Sequence, residues 1–142
     1  MGLFDERTGD LITYWKSVAA ITTLVGTGSA AKIWPDAAAE GFDAPFIYFI
    51  SNGGVRHRRL AGHNGGRLTV VHVYCWGRTA AEANTLAKLI EDNTVDYRGT
   101  MGSTRIMWVY QDSVPEGDYE PIEPDSDKKR FWRRVTLRIV HD

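Results

Sequence analysis

The stretch Arg67-Leu68-Thr69-Val70-Val71-His72-Val73-Tyr74-Cys75-Trp76-Gly77, followed by Arg78-Thr79-Ala80-Ala81-Glu82, decides the fold. The first part predicts a strand that is apolar on both faces. Leu68, Val70, Tyr74 and Trp76 share one face, and Val71, Val73 and Cys75 share the other. Gly77 ends the strand. Thr79-Ala80-Ala81-Glu82 then has capping-box spacing, in which the Thr79 hydroxyl accepts the Glu82 N–H and the Glu82 carboxylate reaches back. The predicted helix runs to about Asn93, with Ala83, Leu86, Ala87 and Ile90 as its apolar stripe. A helix that crosses from one strand to the next makes those two strands run in the same direction.

Outward from this unit, Leu11 to Val25 predicts a first helix, with Leu11, Trp15, Val18, Ile21 and Val25 on one side. Asp10 is its candidate N-cap, and Gly26 and Gly28 stop it. Residues 26–44 read as connector, with Ile33-Trp34 a short extended piece before Pro35. Phe46 to Ile50 is a run of strand formers, and a glycine-flanked polar stretch, 52–66, follows as a mobile loop. Residues 104–111 predict a third strand, with Ile106, Trp108 and Tyr110 on one side and Met107 and Val109 on the other. Residues 112–127 hold seven acids, three prolines and no Lys or Arg, which predicts a stiffened acidic loop. In Phe131 to Val140, Phe131, Val135, Leu137 and Ile139 alternate with Arg134, Thr136 and Arg138. The expected fold is α+β, in the order α-β-β-α-β-β: a four-stranded, mainly antiparallel sheet with two helices packed on one face. Placing the fourth strand between the second and third gives the order 1-2-4-3. Residues 1–142 read as a single domain.

The chain has 142 residues and a mass of 15.9 kDa, enough to hold a core without staples. Its 17 Lys and Arg against 18 Asp and Glu give a net charge of −1, which argues against a nucleic-acid binder held by bulk charge. The single cysteine, Cys75, leaves no intrachain disulfide and no Cys/His zinc box. MGLFDERTGD lacks the apolar run of a signal peptide, and no transmembrane stretch exists, so a soluble intracellular product without membrane contact is expected.

Tests for chemistry return little. Gly26-Thr27-Gly28-Ser29-Ala30-Ala31 matches a dinucleotide-binding string, but it follows a helix rather than a strand and reads as a helix stop. His72 and Cys75 are three apart on a strand, hence on opposite faces, and cannot act as a nucleophile–base pair. His57 and His63 have no acid or thiol in their loop, and the acidic stretch lacks the EF-hand ladder. Nothing nominates a nucleophile, base, metal or cofactor, so no enzyme is expected.

Two surface features carry more. A four-stranded sheet covered on one face should alternate apolar and polar residues, yet the first three strands do not. Each large side chain left in water forfeits roughly 1.5–3 kcal/mol. Another copy of the chain is expected to cover the second face; the alternative cover is the 26–44 connector. The second feature is charge. The basic loop (Arg56, Arg58, Arg59, Arg67) and the run Lys128, Lys129, Arg130, Arg133, Arg134 are opposite in sign to residues 112–127. Such patches suit head-to-tail contacts between copies, which close into rings.

Several stretches, taken in order, resemble the small tail-completion proteins of long-tailed phages, also called tail terminators or head–tail joining proteins. They are the initial helix with Ile33-Trp34-Pro35-Asp36, then Ala44-Pro45-Phe46-Ile47-Tyr48, then Val73-Tyr74-Cys75-Trp76 running into Ala80-x-Glu82-Ala83. Tyr119-Glu120-Pro121 and the closing Arg133-Arg134-Val135-Thr136-Leu137-Arg138-Ile139 complete them. The acidic loop is fuller here than in the usual pattern. The resemblance implies a structural virion protein without catalysis, metal or cofactor, assembled in the host cytoplasm. It implies a ring, commonly a hexamer, on the head-proximal end of the tail tube. The ring ends tube polymerisation and joins the tail to the head connector or stopper protein, while DNA passes through its lumen without specific recognition. A phage, a prophage or a phage-derived gene transfer particle fits equally. The candidate docking residues are Arg56, His57, Arg58, Arg59, His63 and Arg67 of the basic loop, with Glu116, Asp118, Glu120, Glu123, Asp125 and Asp127 of the acidic one. The competing reading is a single-stranded nucleic-acid-binding module that uses the basic loop and aromatic platforms.

Overall fold

A computed structural model describes residues 8–35, 44–58, 64–111, 116–121 and 129–141. In chain order the elements are α1 (Thr8–Lys16), α2 (Ala19–Val25), a 3-10 turn, β1 (Ile33–Pro35), β2 (Phe46–Arg58) and β3 (Asn64–Gly77). Then come α3 (Ala80–Thr94), β4 (Gly99–Met101), β5 (Thr104–Gln111), β6 (Glu116–Pro121) and β7 (Lys129–His141). They form one seven-stranded sheet in the order β1-β2-β3-β7-β5-β4, with β6 also paired to β7.

This corrects the expected four-stranded, mainly antiparallel sheet with two helices. The four long strands do lie in the order β2-β3-β7-β5 with antiparallel neighbours. The additions come from pieces too short or too charged for periodicity to show. Ile33–Pro35 pairs parallel to Ile47–Phe49 and makes the sheet mixed. Gly99–Met101 folds back on Thr104–Ile106 through Gly102, whose φ of 61° suits glycine. Glu116–Pro121, expected within a loop, is a strand because its register sets Glu116 opposite Arg134 and Glu120 opposite Arg130. The 52–66 loop shrinks likewise: Asn52–Arg58 and Asn64–Gly66 extend the β2–β3 hairpin. Part of the 26–44 connector, residues 36–43, lies outside the described residues.

The first helix is two helices. Ser17 donates its hydroxyl to the Tyr14 carbonyl, competing with the helix ladder, and Val18 is extended (φ −89°, ψ 107°). Asp10 does not cap a helix: it lies inside α1. Its carboxylate accepts the Ser103 N–H at 3.3 Å, the Ser103 hydroxyl at 3.2 Å and the Thr104 hydroxyl at 2.7 Å, tying α1 to the β4–β5 turn. The capping box forms on one side only. The Glu82 N–H reaches the Thr79 hydroxyl at 3.1 Å, but the Glu82 carboxylate turns to the Arg78 N–H and guanidinium. Those Arg78 hydrogen bonds hold the Glu82 carboxyl below the usual carboxylate range.

The three helices cover one face of the sheet. Ile47, Phe49, Val71, Val73, Cys75, Val135, Leu137 and Ile139 pack there against Leu11, Trp15, Ile21, Val25, Leu86, Ala87 and Ile90. The Trp15 indole donates to the Thr94 hydroxyl at 3.1 Å, and the Tyr14 hydroxyl donates to the Asn93 carbonyl, so α1 satisfies groups at the end of α3. At the β3–α3 turn a Cβ on Gly77 would come within 2.5 Å of the Ala83 nitrogen, so the strand enters the helix as tightly as it does only with glycine there. β5 departs from strict alternation. Its register shifts between Ile106 and Trp108, so Ile106 and Val109 both face the core and Trp108 is turned out.

Two outcomes follow. Asp10→Ala removes a charged acceptor serving three donors and is expected to lower unfolding free energy by about 1–3 kcal/mol in a urea titration. The Cys75 thiol, pushed well up by burial, is expected to resist alkylation in the native protein and to react at the rate of unfolding; fast labelling without unfolding contradicts the packing described.

Candidate assembly surface

Alternation sends the other half of each strand to the outer face, where no helix packs among the described residues. Phe46, Tyr48 and Ile50 of β2 stand opposite Trp76, Tyr74 and His72 of β3, which stand opposite Trp132, Arg134 and Thr136 of β7. Aromatic rings bridge the strands. Phe46 stacks on Trp76 with centroids 5.7 Å apart, Tyr48 on Tyr74 at 4.8 Å, and Trp132 lies 5.8 Å from Tyr74. Trp34 extends the row from β1, 5.8 Å from Phe46. The Arg130 guanidinium sits 4.8 Å above the Trp76 ring. Phe46 and Trp76 are buried by this mutual packing, while Tyr48, Tyr74 and Trp132 are half-buried. The Trp76 indole nitrogen is buried with no hydrogen-bond partner among the described residues.

Charge is arranged along the sheet edges. Of the acidic residues expected at a contact, Glu116, Asp118 and Glu120 fall on β6 in register with Arg134, Trp132 and Arg130. Glu116 pairs with Arg134 of its own chain at 2.5 Å, and the Asp118 carboxylate accepts the Tyr119 N–H at 2.8 Å. Glu116 thus already has a partner within its own chain. Arg133 donates to the Asn84 side-chain oxygen on α3. Of the basic set, Arg56, His57 and Arg58 lie on β2, opposite Arg67, Gly66 and Asn64 of β3. Arg59, His63, Glu123, Asp125, Asp127 and Lys128 lie outside the described residues.

Between β6, β7 and the start of α3 lies a cleft of about 200 Å³, walled by Asn84, Gly117, Tyr119, Phe131 and Arg133. Residue-level reasoning missed it because it took β6 for a loop. The alternation of Glu116, Asp118 and Glu120 with Gly117 and Tyr119 was the available signal. His72 bonds the Thr136 hydroxyl at 3.1 Å on the outer face, and Cys75 is buried under the helices on the inner one. Among the described residues no group of three or more His, Cys, Asp or Glu could hold a metal ion, and no helix is long and apolar enough to cross a membrane.

Comparison with known proteins gives two findings. A family model described as "Tail completion protein gp17" matches residues 9–142. Among solved structures, the chain is similar to one from the virion of a native gene transfer agent particle. The TM-score is 0.59 at 16% identity, over 93% of this chain and 92% of that one, a likeness of fold. No curated protein matches.

The Glu116–Arg134 pair is a surface contact, so a double-mutant cycle with Glu116→Ala and Arg134→Ala is expected to give a coupling below about 1 kcal/mol. The coupling should shrink further in about 1 M salt. A coupling of several kcal/mol would mean the pair is structural rather than peripheral.

Proposed function

The chain belongs to the tail completion protein gp17 family and is a structural protein of the virion tail, and from that membership we propose that it closes into a ring. The ring caps the head-proximal end of the tail tube, stops tube growth, and offers its other side to the head connector or stopper protein while DNA passes through the lumen. It works by shape and contact, without catalysis. One observation carries the ring: the outer sheet face holds a continuous aromatic row, from Trp34 through Phe46, Trp76 and Tyr74 to Trp132, and no described helix lies over it. Phe46 and Trp76 are buried within the row, and its half-buried members Trp34, Tyr74 and Trp132 leave the apolar surface that supports a contact there. On β7, outside the basic loop that the nucleic-acid reading uses, Arg130 is stacked on Trp76, Arg134 is paired with Glu116 and Arg133 is bonded to Asn84. Those cations are engaged within the chain rather than offered to phosphates.

Light scattering and negative-stain imaging at micromolar concentration, with and without tail tubes, test the proposal. Closed rings seated on one end of each tube are the expected result. A clean monomer that leaves tube ends bare overturns it, and tight, salt-steep binding of single-stranded DNA by the isolated protein would favour the nucleic-acid module.

A further inference from the structure

The edges of the sheet are covered unevenly, and the uncovered parts lie on a diagonal. On one side, β1 pairs β2 only over Ile47–Phe49, so among the described residues Ile50–Arg58 has no partner strand on that edge. On the other side, β5 and β6 both pair β7, one beyond the other. β5 takes Leu137–His141 and β6 takes Lys129–Arg134. β4 covers β5 only over Thr104–Ile106, so the far edge of β6 is open among the described residues. Open strand edges pair with other chains unless they are blunted.

Three observations say what completes them. The first is charge. The open part of β2 carries Arg56, His57 and Arg58, and β6 carries Glu116, Asp118 and Glu120. The second is apolar exposure. Three large apolar side chains are exposed among the described residues: Ile50 at 37%, Trp108 at 42% and Tyr119 at 51%. Ile50 lies on the open part of β2, Tyr119 on β6 and Trp108 on β5 just past the end of β4. The third is direction. β2 is antiparallel to β3, β3 to β7 and β7 to β6, so β2 and β6 of one protomer run oppositely. A second copy, turned about an axis alongside the sheet, brings its β2 to this β6 antiparallel. The two patches are different and lie on opposite edges, which makes the contact heterologous and lets it close into a ring.

We propose that the partner at the open edge of β6 is a second copy of this chain, whose β2 segment 50–58 continues the sheet as an intermolecular antiparallel ladder. This rests on the ring reading above and specifies its contact. Glu116 then lies between Arg134 of its own chain and the basic strand of the next. The acidic strand then faces a basic one across the contact.

The test uses the full-length chain. In Asp118→Lys/Glu120→Lys, like charges face each other, and the ring fraction at micromolar concentration is expected to fall at least about tenfold, since such juxtaposition costs several kcal/mol. Adding Arg56→Glu/Arg58→Glu to the same chain is expected to restore rings. Asp118→Cys combined with Arg56→Cys is expected to give disulfide-linked multimers on oxidation. Circular dichroism melts confirm that each variant folds. Rings that survive the charge reversal and never cross-link overturn the ladder while leaving the ring itself standing. A wild-type chain that never forms rings overturns both.

Discussion

Backbone pairing along β7 is the interaction on which the rest depends. β7 bonds β3 along Phe131–His141 on one side, and on the other it carries β5 and β6 in succession. It joins the segment up to Thr94, which supplies β1 to β3 and the three helices, to the C-terminal hairpins. Its inward residues Val135, Leu137 and Ile139 are fully buried beneath α3 and its neighbours. Its outward residues Trp132 and Arg134 tie the aromatic row to the charged edge. A strand this central must be apolar on one face and tolerant of contact on the other, and the alternation of Phe131 to Val140 meets that demand.

Much of this was legible because long elements announce themselves through repeated side-chain spacing. The strand at 67–77, the Thr79 cap and the stripe Ala83, Leu86, Ala87 and Ile90 all stand where their pattern put them, and all four stripe residues are buried. What escaped had physical reasons. β1 and β4 are three residues each, too short for a period of two to register. The break at Ser17 depends on one hydroxyl choosing a backbone carbonyl, and the bulge before Trp108 shifts facing without changing composition. β6 escaped because its acids read as loop until the arginines of β7 are placed opposite them. The opposite-sign clusters were legible, but the pairing of Glu116 with Arg134 inside the chain was not.

The two faces of the sheet show a division between folding and association. The inner face is closed by helices within one protomer, and its members include the largest fully buried side chains, Trp15 and Phe49. The outer face reaches an intermediate state in which rings shield one another: Phe46 and Trp76 are hidden, while Tyr48, Tyr74 and Trp132 are not. Folding and any association therefore draw on opposite faces of the same sheet.

The succession of β5 and β6 along one side of β7 has a mechanical consequence. β5 contributes Ile106 and Val109 to the helix-covered core, whereas the described side chains of β6 are exposed. The distal strand thus lacks the buried side chains that anchor β5 and belongs to the less stable part of the fold.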